Sequence, residues 1–163
     1  MIAFNVRFFS LTLSLLLGHV AIASDRAGNF AGLKVEVSLA ASQQSPTVQF
    51  KISNATTNTI ECHRADLPWA SRHSIILMLV ENDISHTVVP EELPVDDPIT
   101  GTLKISPGGD LEGNLILRSR FPELQKALAR REVILFWSYQ LKPLNSPVLP
   151  RCGGWILIPK AQD

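Results

Sequence analysis

The clearest pattern in this chain is the alternation of apolar and polar residues with a period of two. It is strongest over residues 33–39 and 48–53, and shorter versions follow at 103–106 and 111–117, the last with Gly113 in register. Successive side chains of a strand point to opposite faces of its sheet, so this alternation indicates strands with one face buried and one in water. The pattern therefore predicts four half-buried antiparallel strands.

Two other stretches, residues 75–80 and 133–137, are apolar throughout. Short continuous apolar runs are typical of central strands that are covered on both faces. Residues 59–62 and 155–158 add two further short strands. The count reaches seven or eight strands in all.

Turn residues separate these strands, and only one helix is indicated. Residues 54–58 read Asn-Ala-Thr-Thr-Asn, and residues 107–110 read Pro-Gly-Gly-Asp, as expected for tight reversals. Pro122 followed by Leu124 and Leu128, four residues apart, predicts a short amphipathic helix between residues 121 and 131. Many short strands with one helix predict an all-β, antiparallel β-sandwich.

This arrangement resembles the small immunoglobulin-like domains of exported bacterial proteins. The resemblance rests on the strand and turn at residues 50–58, the turn at Pro107 and Gly108, and the helix at Pro122 before the strand at 133–141. It implies an immunoglobulin-like sandwich in a single domain over residues 24–163. A resemblance in fold does not transfer a function.

The N-terminal residues read as a secretory signal peptide over residues 1–23. Arg7 supplies the positive start, residues 8–17 form a short apolar core, and Ala21-Ile22-Ala23 matches a cleavage site. The apolar core is shorter than the roughly 20 residues that span a bilayer. This segment accounts for much of the positive mean hydropathy, +0.14. We expect a secreted or periplasmic protein without a membrane span after cleavage.

The net charge excludes one broad class of partners. The 163-residue chain has 15 Lys and Arg against 15 Asp and Glu, a formal charge of zero. Nucleic-acid-binding proteins carry a basic surplus that displaces counterions from phosphates, so no nucleic-acid partner is expected. The charges are nevertheless segregated, with acids concentrated in residues 81–97 and bases in residues 118–131. The simplest interpretation is a solvated acidic loop and a solvated helix face, with attraction between the two.

Cys62 and Cys152 are the two cysteines of the chain. In an exported protein they most economically form one disulfide, which closes a long loop and stabilises the fold. The alternatives are a cysteine nucleophile and a thiolate metal site, and neither has a supporting motif. The prediction is a Cys62–Cys152 disulfide.

The candidate binding residues lie between two predicted strands, in residues 62–73. This segment concentrates histidine, arginine and tryptophan, and its candidate contacts are His63, Arg64, Trp69, Arg72 and His73. Trp and Arg dominate the energetics of protein interfaces, so the segment is a candidate recognition loop with Trp69 as its apolar anchor. The alternative is that Trp69 and its apolar neighbours cap the sandwich as a hydrophobic plug. The two roles are compatible.

A catalytic or metal-binding role finds less support. His63 and His73, with Cys62 or Asp66, lack the close spacing of zinc ligands. No nucleophile elbow, His-Glu-x-x-His, phosphate-binding loop or dinucleotide motif occurs. We therefore expect no cofactor, no metal and no enzymatic activity.

The resulting functional prediction is an exported, non-catalytic binding module that recognises another envelope or secreted protein. One alternative is an inhibitor or immunity protein that blocks an envelope hydrolase, and another is a metal-binding protein or hydrolase using His63 and His73. Strand addition at an exposed sheet edge is a second mode of binding for such a module.

Overall fold

This computed structural model describes residues 28–30, 32–40, 46–92 and 99–161, so the predicted signal peptide lies outside the described residues. The strands found there are β1 (Gly28–Phe30), β2 (Leu33–Ala40), β3 (Thr47–Asn54), β4 (Ile60–His63), β5 (Ile75–Glu81), β6 (Val88–Val89), β7 (Thr102–Ile105), β8 (Asp110–Ile116), β9 (Val133–Tyr139) and β10 (Cys152–Ile158). The helix α1 (Leu124–Arg130) precedes β9, and 3-10 helices cover Arg64–Asp66 and Leu117–Ser119. None of the described helices is long and apolar enough to cross a membrane.

The strands form two four-stranded antiparallel sheets and a separate two-stranded ribbon. The first sheet has the order β1-β2-β3-β8, the second β10-β9-β5-β6, and the ribbon pairs β4 with β7. The run β2-β3-β8 facing β10-β9-β5-β6 reproduces the A-B-E and G-F-C-C′ order of immunoglobulin domains. The predicted fold is confirmed, and β1 and β6 are the strands that the alternation did not predict.

One hydrophobic core fills the space between the two sheets. The rings of Phe50 in the first sheet and Trp137 in the second meet edge to face, with centroids 6.3 Å apart. Leu124 and Leu128 bury one face of α1 against the same core, and the amide of Ala161 donates to the carbonyl of Leu128. The short predicted helix is present and covers one end of the sandwich.

Asn54 shows why the predicted turn at residues 54–58 needs asparagine. Its side chain is buried, and its Nδ2 donates to the carbonyls of Asn58 at 2.8 Å and Ile105 at 2.9 Å. Its Oδ1 accepts from the amide of Thr56 at 2.9 Å. The side-chain amide of Asn54 therefore forms hydrogen bonds within the turn and also joins the turn to β7.

The strands at residues 75–80 and 133–137 differ from the prediction in one respect. Their inner side chains are buried as expected, but their outer side chains Ile76, Met78 and Phe136 are 60%, 45% and 37% exposed. The reason is that only one layer packs against this sheet in the described residues. In this protein, a continuous apolar run therefore belongs to a sheet whose outer face is apolar and exposed to solvent, and not to a strand covered on both faces.

The structure also differs from the predicted disulfide, because Cys62 and Cys152 are both buried free thiols. They serve as small apolar core residues: Cys152 pairs with Tyr139 across β9 and β10, and Cys62 pairs with Leu103. Burial raises the pKa of Cys62 to about 11 and also raises that of Cys152. A thiol with little thiolate at neutral pH resists oxidation, because the thiolate is the reactive form.

We expect neither thiol to react with a thiol reagent at pH 8 while the protein is folded. After unfolding in denaturant without reductant, both should react, giving two thiols per chain, because burial and the raised pKa of Cys62 are then lost. Titration with Ellman's reagent measures both states, and a reduced sample gives the reference value. A count of zero in the unfolded, unreduced protein would show instead that the two cysteines are bonded.

Candidate binding surfaces

The segment between β4 and β5 does not form one surface. His63 ends β4 and Arg64 begins a 3-10 helix, where its amide donates to the carbonyl of Gly101. Both side chains are exposed beside the β4–β7 ribbon. Arg72 and His73 lie at the opposite end of the segment, with Arg72 Nε donating to His73 Nε2 at 3.1 Å. The five predicted contact residues therefore divide into two groups.

Trp69 belongs to the core more than to the surface. It is half-buried, its ring centroid lies 6.5 Å from that of Phe50, and it packs against the core cluster. A Cβ placed on Gly113 would lie 2.1 Å from the Trp69 indole, so the indole occupies the space that a side chain of β8 would otherwise fill. The structure therefore favours the interpretation in which Trp69 belongs to a hydrophobic plug that caps the sandwich.

The exposed side of Trp69 forms part of a cleft. The cleft has a volume of about 260 Å³ and runs between residues 68–72 and the C-terminal end of β8. Its other residues are Pro68, Ala70, Ser71, Arg72, Asn114, Leu115, Ile116, Ser119 and Arg120. Apolar surface comes from Trp69 and the half-exposed Ile116, with Pro68, Ala70 and Leu115. The other five lining residues carry amide, hydroxyl and guanidinium groups without a carboxylate.

Arg120 fixes the floor of this cleft. It is only 6% exposed, its Nε donates to Glu91 Oε1 at 2.6 Å, and its Nη2 donates to the carbonyl of Arg72 at 3.3 Å. The carbonyl of Arg120 in turn accepts from the amide of Glu92. A buried charge is tolerated only when it is paired, so this arginine joins three segments of the chain at one point.

Ion pairs also join other acidic and basic side chains of the two charge stretches. Arg130 and Arg131 at the end of α1 both contact Glu81, and Arg131 also contacts Asp83. Hydrogen bonds from Ser85 and His86, together with the charge of Arg131, lower the pKa of Asp83. Among the described residues, ion pairs join Glu81, Asp83 and Glu91 of the acidic stretch to Arg120, Arg130 and Arg131 of the basic stretch, so the attraction that the sequence suggested is present there.

β8 is an edge strand of the first sheet, which adds an unpaired backbone to the cleft. At one end of β8, the carbonyl of Gly109 accepts a hydrogen bond from the amide of Asn54. At the other end, the amide of Leu117 donates to the carbonyl of Pro46, so both residues direct these backbone groups toward β3. Because the direction of these groups alternates along an antiparallel strand, Glu112 and Asn114 present theirs to the opposite, outer edge. No backbone hydrogen bond from another described segment reaches these two residues.

No protein-family model matches the chain, and neither does any curated protein. Among solved structures, the fold is similar to the GAE domain of GGA2p from Saccharomyces cerevisiae. The two chains share 11% identity, the match covers 79% of this chain and 91% of that one, and the TM-score is 0.28.

The described residues contain no candidate metal centre. No group of three or more His, Cys, Asp or Glu side chains there lies close enough to hold a metal ion. His63 and His73 belong to separate surfaces, and Cys62 is buried.

Sequence reasoning missed the cleft residues contributed by β8 and the segment after it, namely Asn114, Ile116 and Arg120. The sequence contained one indication that another group lies close to β8. Gly113 occupies a position where the alternation of residues 111–117 calls for an apolar side chain, and a glycine inside a strand often marks the close approach of another group. Here that group is Trp69.

Proposed function

We propose that this chain is an exported, non-catalytic protein-binding module that pairs an extended segment of its partner with the outer edge of β8. The observation that carries the proposal is an unpaired strand edge alongside a cleft of mixed polarity. In recognition by strand addition, main-chain hydrogen bonds provide affinity and pockets for alternate side chains provide specificity. The predicted signal peptide supports a partner in the cell envelope or outside the cell.

The sandwich topology leaves room for such a strand. In an immunoglobulin-like sheet, a further strand normally lies beside the one equivalent to β8. Here β7, which occupies that place in the chain order, pairs with β4 instead. The position next to β8 is therefore without a strand among the described residues.

The charges along β8 indicate which half of the edge binds. Asp110 and Glu112, in the first half, lie within 2.8 and 3.6 Å of Lys51 Nζ, and charged side chains on an edge strand discourage pairing with other chains. The second half, with Asn114 and Ile116, is uncharged and lies in the cleft wall. Pairing should therefore concentrate at this half.

The cleft lining indicates the chemistry of the partner segment. Trp69 and Ile116 offer an apolar contact for one side chain, and Arg72 adds a guanidinium group to the lining, whereas the charge of Arg120 is paired with Glu91. The proposed ligand is an extended segment that carries an apolar residue with an acidic residue next to it. Arg72 acts here as a polar contact and Trp69 as the wall of the cleft.

We expect linear peptides selected from a random displayed library to bind at the outer edge of β8. Titration of the isotopically labelled protein by NMR should shift the amide signals of Glu112 and Asn114 and the indole signal of Trp69. Asn114→Pro removes an outward amide without touching the ladder to β3, so it should weaken peptide binding by about tenfold or more while the unfolding midpoint stays nearly unchanged.

Glu112→Pro provides a second variant at the other outward amide, in case proline at position 114 disturbs the strand. His63→Ala is the matched control, because His63 is exposed and lies outside the cleft. Full affinity in a folded Asn114→Pro protein, signal shifts confined to another surface, or a library without binders would each contradict the proposal.

A further inference from the structure

The outer face of the second sheet is a continuous apolar surface. Strand register places its side chains in three rows across the strands, and the central row consists of Trp155, Phe136 and Met78. The row on one side runs through Leu157, Ile134, Val80 and Val88, and the row on the other through Gly153, Ser138 and Ile76. No charged side chain lies in any of the three rows.

Most of this face is open to solvent in the described chain, although Val80, in the row with Leu157 and Ile134, is only 8% exposed. Ile76 is 60% exposed, Val88 56%, Met78 45% and Trp155 43%. Phe136 and Leu157 are also partly exposed, which brings the open side-chain surface to on the order of 600 Å², the upper limit of apolar patches on typical monomers. Patches at this limit are often sites of interaction with another molecule.

We infer that a second copy of this chain covers this face, forming a dimer through sheet-to-sheet packing. Two such faces together would bury on the order of 1,200 Å² of side-chain surface, where stable interfaces begin. Sheets that stack face to face keep their strands within about 30° of alignment, as inside a β-sandwich. The dimer therefore repeats, between chains, the packing that already holds the two sheets together within one chain.

The shape and charge of the face favour a copy of itself over a charged partner. The Arg151 guanidinium contacts Ser138 at one end of the face, but the central row carries no charge, so two copies meet there without repulsion and a charged molecule finds nothing to pair with. The bulky Trp155 lies next to the small residues Gly153 and Ser138, so the same face has both a projection and a depression. A two-fold interface needs such self-complementarity.

The rim of the face is polar, as expected of an interface. The Arg151 guanidinium reaches Ser138 Oγ at 3.5 Å at one end, and Asn82 donates to Glu132 at 3.1 Å near the other end. Interfaces of this kind consist of an apolar centre without charges and a polar margin. This surface is separate from the cleft at β8, so the inference does not depend on the proposed function.

The test is the mass in solution of the protein expressed from the full chain in a bacterial host and purified from its periplasm. Sedimentation velocity from about 1 to about 100 µM should show twice the mass of one chain at the upper concentrations. Phe136→Glu places a charge at the centre of the face and should shift the protein to single chains. Ile116→Glu is the matched control, since Ile116 is 53% exposed but lies on the first sheet, and it should leave the dimer intact.

A cross-linking variant tests the geometry without disturbing the apolar surface as strongly. Phe136 lies at the centre of the rows, so it is close to the axis of any two-fold arrangement that covers the whole face. Phe136→Cys should form a disulfide between two chains on mild oxidation, whereas Ile84→Cys, at a fully exposed position off the face, should not. A wild-type protein that stays a single chain at every concentration would overturn the inference. So would a dimer that Phe136→Glu leaves intact.

Discussion

Trp69→Ala is expected to lower the free energy of unfolding by about 3 kcal/mol. The indole packs against Phe50 and fills the space above Gly113, so its removal leaves a cavity that the rigid first sheet cannot close. Urea unfolding followed by circular dichroism measures the loss, and the two remaining tryptophans provide a fluorescence signal. Trp155→Ala, at a 43% exposed position, is the matched control and should cost less than about 1 kcal/mol at concentrations where the chain is single.

Gly113→Ala tests the same packing from the other side. Its new Cβ would lie 2.1 Å from the Trp69 ring, so we expect a loss of about 2 kcal/mol in the wild-type background. In a Trp69→Ala background the space is free, and the same substitution should cost close to nothing. The double variant should therefore be destabilised by about 2 kcal/mol less than the sum of the two single variants, and a double-mutant cycle measures this difference.

An unchanged stability of Trp69→Ala, with loss of peptide binding alone, would contradict the plug. That result would support instead the interpretation in which Trp69 contributes to partner recognition and not to the stability of the fold. Additive effects of Trp69→Ala and Gly113→Ala would equally contradict the direct contact between them.

Glu91→Gln is expected to destabilise the fold by about 3 kcal/mol. The substitution leaves the Arg120 guanidinium, only 6% exposed, without a negative partner, and one of its nitrogens, Nη1, already lacks a hydrogen bond within the described residues. Adding Arg120→Met to this variant removes the buried charge altogether and should recover part of the loss. Urea unfolding of the two single variants and the double variant measures this coupling.

Glu123→Gln is the matched control for this prediction. Glu123 also forms an ion pair, at 3.2 Å with Lys126, but both side chains are more than half exposed. Exposed pairs contribute little, so the expected change is within about 0.5 kcal/mol. If Glu91→Gln behaved like this control, Arg120 would not depend on Glu91 as the structure indicates.

The half-buried strands were predictable because their information is local. In β2 and β3, alternate residues enter the core, and a period of two in the sequence is sufficient to identify the buried face. Asn54 and the residues after it likewise formed the predicted turn, because a left-handed or capped turn depends on the residues within it. The same holds for the short helix, whose buried leucines are four residues apart.

The candidate site was only partly predictable, because its parts come from distant segments. The sequence singled out Trp69 and Arg72, but the cleft also needs Asn114 and Ile116, whose side chains show no unusual pattern. Whether a strand lies at an edge depends on which strands pair, and the pairing of β7 with β4 cannot be read from either strand alone. The burial of Arg120 depends on Glu91, which the fold brings next to it.

The sequence by itself therefore determined an all-β sandwich, its inward-facing residues and the absence of a basic surplus, because these follow from periodicity and composition. Only the tertiary structure decided that Trp69 packs over Gly113, that the two charge stretches pair, and that β5 and β9 leave an apolar face open. The physical reason is common to all three. Each depends on what lies across a gap between segments that are remote in the chain, and neither alternation nor residue type records that neighbour.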